Sequence, residues 1–350
     1  MLLRLTDRGL YCEAGDFFVD PWGAVDRAVV THAHGDHVAW GCRAYLTSSE
    51  GLSVLRSRLA PEAKVSGLPW GEPATIRGVR VSFHPAGHIL GSAQIRLELA
   101  GEVWVVSGDY KTDPDPTTTP FEPLRCHTFV TESTFGLPIY RWPPQHDVLT
   151  EINDWWRANQ AAGKASLLYG YALGKAQRLI AGLDPGIGPI LTHGAVERMT
   201  AVYRAAGVVL PPTTHAGAVD RRTDWSRAII VAPPSAGGSV WTRRFRPQST
   251  AFASGWMLIR GTRRRRSLDR GFPLSDHVDW PALMAAVEAT GATRVWVTHG
   301  FTAPVVRWLR ERGLDAQAVR RSIAPACIVG GSDTAAARYT AVIRSTAPWV

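Results

Sequence analysis

The chain has 350 residues, 45% hydrophobic and 20% charged, which describes a globular protein and excludes disordered and fibrous classes. Its net charge of +9 is carried almost wholly by arginine, and two readings of it stand: a polyanionic partner, or a solvated Arg-rich face. The sequence holds no apolar run of about 18 residues, which excludes a membrane-spanning helix.

The start, "MLLRLTDRGLYCEAGD", has no continuous apolar segment and no small-residue cleavage site, so no secretory signal is expected. Cys12, Cys42, Cys126 and Cys327 are scattered, with no CxxC pair. That usage fits reduced thiols and a cytoplasmic location.

In chain order, the first third predicts short strands separated by turns: "DFFVD" (16–20), "RAVVT" (27–31), "VRVSFH" (79–84), "AQIRLEL", "EVWVVSG" (102–108) and "HTFVTES" (127–133). "SSEGLSVLRSRL" predicts a helix between them. The middle alternates: "DVLTEINDWWRANQAAG" helix, "ASLLYG" buried strand, "LGKAQRLIAGL" helix, then "GPILTHG", "AVERMTAVYRAAG" and "RAIIVAPP". The tail continues with "DWPALMAAVEATG" helix, "TRVWVTHG" strand and "TAPVVRWLRERG" helix. Such alternation implies a parallel sheet covered by helices. Arginines cluster in "WTRRFRP" and in the run at 263–266.

Four polar clusters fall where a predicted strand ends, which is where open α/β sheets carry their sites. "THAHGDH" gives His32, His34, Asp36 and His37 within six residues, in a chain with only eleven histidines. Alternate residues of an extended segment point the same way, so His32 and His34 share one metal, and Asp36 and His37 face a second. "AGHILGSA" adds His88 among small residues, "VVSGDY" adds Asp109, and "VWVTHG" adds His299. Nitrogen and oxygen donors without thiolate suit two divalent ions, zinc or manganese, about 3.5–4 Å apart around a bridging carboxylate.

HxHxDH, GHxLGSA, SGD and the distal HG resemble the metallo-β-lactamase superfamily, and the long stretch between SGD and the last histidine resembles its β-CASP nuclease branch. "TESTFG" supplies an acidic residue, Glu132, and "LSDHVDW" a histidine, His277, at the places the branch uses. The resemblance is strongest to the bacterial DNA-ligase-associated exonucleases, also labelled mRNA 3′-end processing factors, through "GKAQ", "FASGWM" and "RGFPLSDH".

The resemblance implies an αββα metallo-β-lactamase domain from residues 1–142 and 266–350, with an inserted α/β β-CASP domain at 143–265. It implies one metal on His32, His34 and His88, another on Asp36, His37 and His299, and Asp109 between them. Asp20 would hold the HxHxDH loop. His277 would be a general acid or phosphate contact oriented by Glu132, and Lys175, Gln177 and Ser275 would contact substrate. The implied activity is phosphodiester hydrolysis, by a DNA exonuclease in DNA repair whose product carries a 5′ phosphate. The implied partners are nucleic acid and a DNA ligase or helicase, without a membrane. His299, however, resembles the RNA-directed members.

Rival readings are an RNA nuclease of the RNase J or mRNA end-processing type, a glyoxalase II-like hydrolase, and a catalytically dead partner subunit. The hydrolase would need neither the insert nor His277, and the dead subunit would be expected to lose ligands. His84, His127, His146, His193 and His215 match no motif and are expected to be structural or on the surface. Trp155 and Trp156 are expected in a core rather than as a base-stacking platform.

Overall fold

The computed structural model describes residues 1–220, 223–259 and 268–319, and three sheets form among them. The first has six strands laid side by side in chain order, from Arg4–Thr6 and Gly9–Cys12 through Phe17–Val19, Arg27–Val29 and Ala44–Ser48 to Val65–Leu68. The expected strand at 16–20 shrinks to Phe17–Val19 because Asp16 and Asp20 take φ of 52° and 43°, a conformation that ends an extended run.

The second sheet has the order Asp315–Ala318, Arg294–Thr298, Thr128–Glu132, Glu102–Val106, Ala93–Leu99, Val79–Pro85 and Ala74–Ile76. The first four of these run parallel and the remainder pair antiparallel. Two-residue alternation divides its side chains between two cores. Trp104 and Val106 join Leu3, and Phe17 and Val29 of the first sheet, in one cluster. Val103 and Val105 join Leu283 and Val287 of helix Trp280–Thr290, with Val305 and Leu309 of helix Thr302–Arg310, in another. Each fully buried side chain of this size contributes about 1.5–3 kcal/mol.

The third sheet is the parallel one that the alternation predicts: Thr214–His215, Ile190–Thr192, Ile229–Ala232, Ala165–Tyr169, Gln248–Ala253 and Arg270–Phe272. Helix Gln145–Ala161 buries Ile152, Trp155 and Trp156 against one face, so both tryptophans are core residues. The last strand lies beyond residue 265, where the insert was expected to end. Asp269 anchors it by accepting hydrogen bonds from Thr250 N and Oγ1 at 2.7 and 3.0 Å. Tyr203 of helix Gly194–Ala205 reaches a cluster with Val54 and Leu55, which ties this region to the first sheet.

Arg263, Arg264, Arg265 and Arg266, and residues 320–350 with Cys327, lie outside the described residues. Cys12, Cys42 and Cys126 are buried free thiols. Among the described residues no helix is long and apolar enough to cross a membrane.

Candidate metal centre

Parallel strands in register bring the polar clusters to one edge. Val106 pairs with Val130, and Glu132 with Thr298, so Glu102–Val106, Thr128–Glu132 and Arg294–Thr298 end nearly level. Asp109, Glu132 and His299 leave that edge together. His32, His34, Asp36 and His37 follow strand Arg27–Val29, and His88 sits in the turn between Val79–Pro85 and Ala93–Leu99. That turn passes close to its neighbours because Gly91 has φ +70 and a Cβ there would stand 2.0 Å from Gly51 N.

Asp20 bonds to the HxHxDH loop. One carboxylate oxygen accepts from Thr31 N at 2.8 Å. The other lies 2.6 Å from Thr31 Oγ1 and 2.7 Å from His37 Nδ1. An ionised carboxylate only accepts, so His37 donates through Nδ1 and turns its Nε2 inward.

Donors then converge. His34 Nδ1 lies 3.1 Å from His32 Nε2 and 3.0 Å from His88 Nε2. Asp109 Oδ2 is 3.5 Å from His32 Nε2, 3.8 Å from His88 Nε2 and 3.4 Å from His37 Nε2. Single protons cannot satisfy three converging ring nitrogens, whereas a cation bonded at about 2.1 Å holds tetrahedral ligands about 3.4 Å apart. Among the described residues four overlapping groups lie close enough to hold an ion: His32, His34, His88 and Asp109; Asp36, His37 and His299; His88, Asp276 and His277; and Asp109, Glu132 and His277.

Two buried atoms of this site, His37 Nε2 and Asp109 Oδ1, have no hydrogen-bond partner among the described residues. Burial, with His277 beside it, pushes His88 down to about 3, so its ring is neutral and offers a lone pair. Burial works against a charge on His37, yet Asp109, Asp36 and Asp20 hold it well above the usual histidine range. The site therefore demands positive charge, and the donors present fit divalent ions. The Asp36 side chain is 57% exposed, which leaves the second group open to solvent.

His277 and Glu132 also meet at this edge. His277 Nδ1 lies 3.0 and 2.9 Å from the two Glu132 oxygens. Burial disfavours its charge, but Glu132 and then Asp109 raise His277 to about 9. Ser275 is buried, and its Oγ accepts from His277 N at 3.1 Å.

Lys175 and Gln177 require a correction as substrate contacts, because both are buried and bonded within the protein. Lys175 Nζ donates to Asp276 Oδ1 at 2.7 Å and to Leu274 O at 3.0 Å. Burial, opposed by Asp276, lowers Lys175 to about 8. Gln177 Oε1 accepts from Gly174 N at 2.8 Å, and its Nε2 donates to Ala172 O and Thr200 Oγ1.

Sequence reading missed Arg178 and Asp115, a buried pair 3.4 Å apart behind His88. A buried arginine looks like a surface one until its partner is known, so nothing in "GKAQR" marks it.

None of the other five histidines joins the centre among the described residues. His84 bonds Ser82 and Glu122, His127 Nδ1 accepts from Val103 N, and His193 caps helix Gly194–Ala205. His146 and His215 are exposed. Of the "WTRRFRP" arginines, Arg244 lies over the rings of Trp225, Trp241 and Phe245.

No family model matches the chain. Over 314 residues, 89% of its length, the chain is 33% identical to 30% of a protein named "Probable DNA ligase" from Opitutus terrae. Over 181 residues, 50% of its length, it is 27% identical to 26% of the cleavage and polyadenylation specificity factor 73 of Drosophila melanogaster. The chain thus spans under a third of either relative. A crystal structure of a protein of unknown function from Enterococcus faecalis V583 covers 78% of this chain and 74% of its own at TM-score 0.54 and 10% identity, a likeness of fold alone.

Proposed function

We propose that this chain belongs to the β-CASP branch of the metallo-β-lactamase superfamily and is a metal-dependent nuclease that hydrolyses phosphodiester bonds, a reading supported by its likeness to these relatives. The observation that carries the reading is the position of Asp109, whose Oδ2 stands 3.5 Å from His32 in one donor group and 3.4 Å from His37 in the other. In this reading His32, His34 and His88 would hold one ion and Asp36, His37 and His299 a second, with Asp109 available to both. The ions, zinc or manganese, would polarise the scissile phosphodiester when bound.

The chain's own groups do the rest. His277 donates a proton, or a hydrogen bond, to the leaving oxygen. Glu132 keeps that imidazole charged and oriented, and Asp36 at the open edge faces the entering strand. The fold proposed is the αββα sandwich, residues 1–142 and 266–350, with the β-CASP insert at 143–265; the shared core of the first two sheets supports the sandwich, and the parallel third sheet supports an insert, although its last strand, Arg270–Phe272, lies past the proposed boundary. The free thiols support a cytoplasmic location.

The substrate proposed is DNA, in an exonuclease of DNA repair with a ligase or helicase as functional partner, because the alignment over most of this chain is to a relative named as a DNA ligase. RNA is the second reading, favoured by His299 and by the polyadenylation-factor relative. Digestion of matched, end-labelled single-stranded DNA and RNA separates them. Faster DNA cleavage with a ladder growing from one end is expected, while a clear preference for RNA overturns the DNA assignment.

A further inference from the structure

The outward nitrogens of two ligand imidazoles are both bonded to backbone carbonyls supplied by the third-sheet region. His34 Nε2 lies 3.2 Å from Leu173 O, and His88 Nδ1 lies 2.8 Å from Asp276 O. A carbonyl only accepts, so each of these nitrogens carries the proton, and the lone pairs of His34 Nδ1 and His88 Nε2 point to the centre.

One helix, Lys175–Ala181, fixes both carbonyls. Leu173 lies just before it. Lys175 ties the Asp276 side chain and Leu274 O at 2.7 and 3.0 Å, although Lys175 is only 2% exposed and Asp276 5%. One turn later, Arg178 donates to the carbonyls of Gly87 and His88, each at 3.2 Å. Burying two cations carries a large desolvation cost; here Arg178 holds the loop that bears His88, and Lys175 holds the loop whose Asp276 carbonyl bonds the His88 ring. Gly174 allows the approach: its φ is +84, and a Cβ there would stand 2.2 Å from Ile89 Cγ2 and 3.9 Å from His34 Nε2.

We propose that the Leu173–Arg178 segment is a positioning clamp that sets the tautomer and orientation of His34 and His88, with Lys175 as its positioning residue. Metal binding by the three-histidine group then depends on this helix being docked. The inference rests on the metal-centre reading above.

Long-range proton–nitrogen spectra of wild-type protein stripped of metal test the first half. The expected pattern is a proton on Nε2 of His34 and on Nδ1 of His88; the opposite tautomer at either ring overturns the clamp. Zinc affinity, read by competition with a chromophoric chelator, tests the second half. Lys175→Met strands the Asp276 carboxylate, so the paired variant Lys175→Met with Asp276→Asn, which leaves no unpaired charge, covers the case in which the single variant does not fold. Zinc affinity of the paired variant should fall roughly 10–100-fold, with an unchanged circular dichroism spectrum and an altered His88 nitrogen pattern. Wild-type zinc affinity in that variant overturns the clamp alone. A wild-type protein that binds no zinc overturns the metal-centre reading instead.

Discussion

Glu132 and His277 stand 145 residues apart in the chain and meet carboxylate to imidazole, with Nδ1 donating to both oxygens at 3.0 and 2.9 Å. Both residues lie outside the two donor groups to which the proposed function assigns the ions, so His277→Ala should keep both metals and the fold. Turnover on single-stranded nucleic acid should fall roughly 10²–10⁴-fold, the range for losing a positioned acid–base group. Glu132→Gln should lose less, because it orients the ring without touching substrate. A metallated, folded His277→Ala protein that cuts at the wild-type rate removes this residue from the chemistry.

The same pair sets a pH dependence in protein stripped of metal. His277 has its pKa raised from 6.5 to about 9, chiefly by Glu132 working against burial. A raised folded-state value gives stability that is fully present below about pH 6.5 and is lost as pH rises through about 9. Chemical denaturation of wild type and His277→Gln should therefore show a wild-type advantage at pH 6 that fades by pH 10. A constant difference across that range contradicts the charged pair.

Asp20 reaches Thr31 and His37 but none of the open donor positions. Asp20→Ala should leave the ligands in place yet weaken metal binding roughly 10–100-fold, as loss of such outer hydrogen bonds does. Chelator competition measures it, and unchanged affinity assigns Asp20 to folding alone.

Asp109→Ala should lower metal content at both donor groups, since Oδ2 lies between them. Elemental analysis showing two ions retained per chain would rule out the bridging role.

The centre was legible because its chemistry is written locally. "THAHGDH" places four donors in one loop after one strand, and "SGD" and "THG" repeat the strand-end position. Glu132 and His277 came only from resemblance, since nothing local joins residues 145 apart. Lys175 was misread for a related reason. A lysine at a helix start looks exposed, and its burial follows from Asp276, 101 residues later. Arg178 was missed in the same way. The parallel third sheet followed from alternation, whereas the narrow strands Arg4–Thr6, Val65–Leu68 and Ala74–Ile76 carry too short a pattern to predict. Trp155 and Trp156 were readable as core from the amphipathic helix that holds them.

The most direct test of the central claim is a cleavage time course on end-labelled single-stranded DNA and RNA, using protein stripped by chelator and then reloaded with Mn or Zn. The expected result is no cutting without metal, restored cutting after reloading, and none by reloaded Asp109→Ala. Cleavage by the stripped protein at the reloaded rate, or no cleavage of either polymer by fully metallated protein, contradicts it.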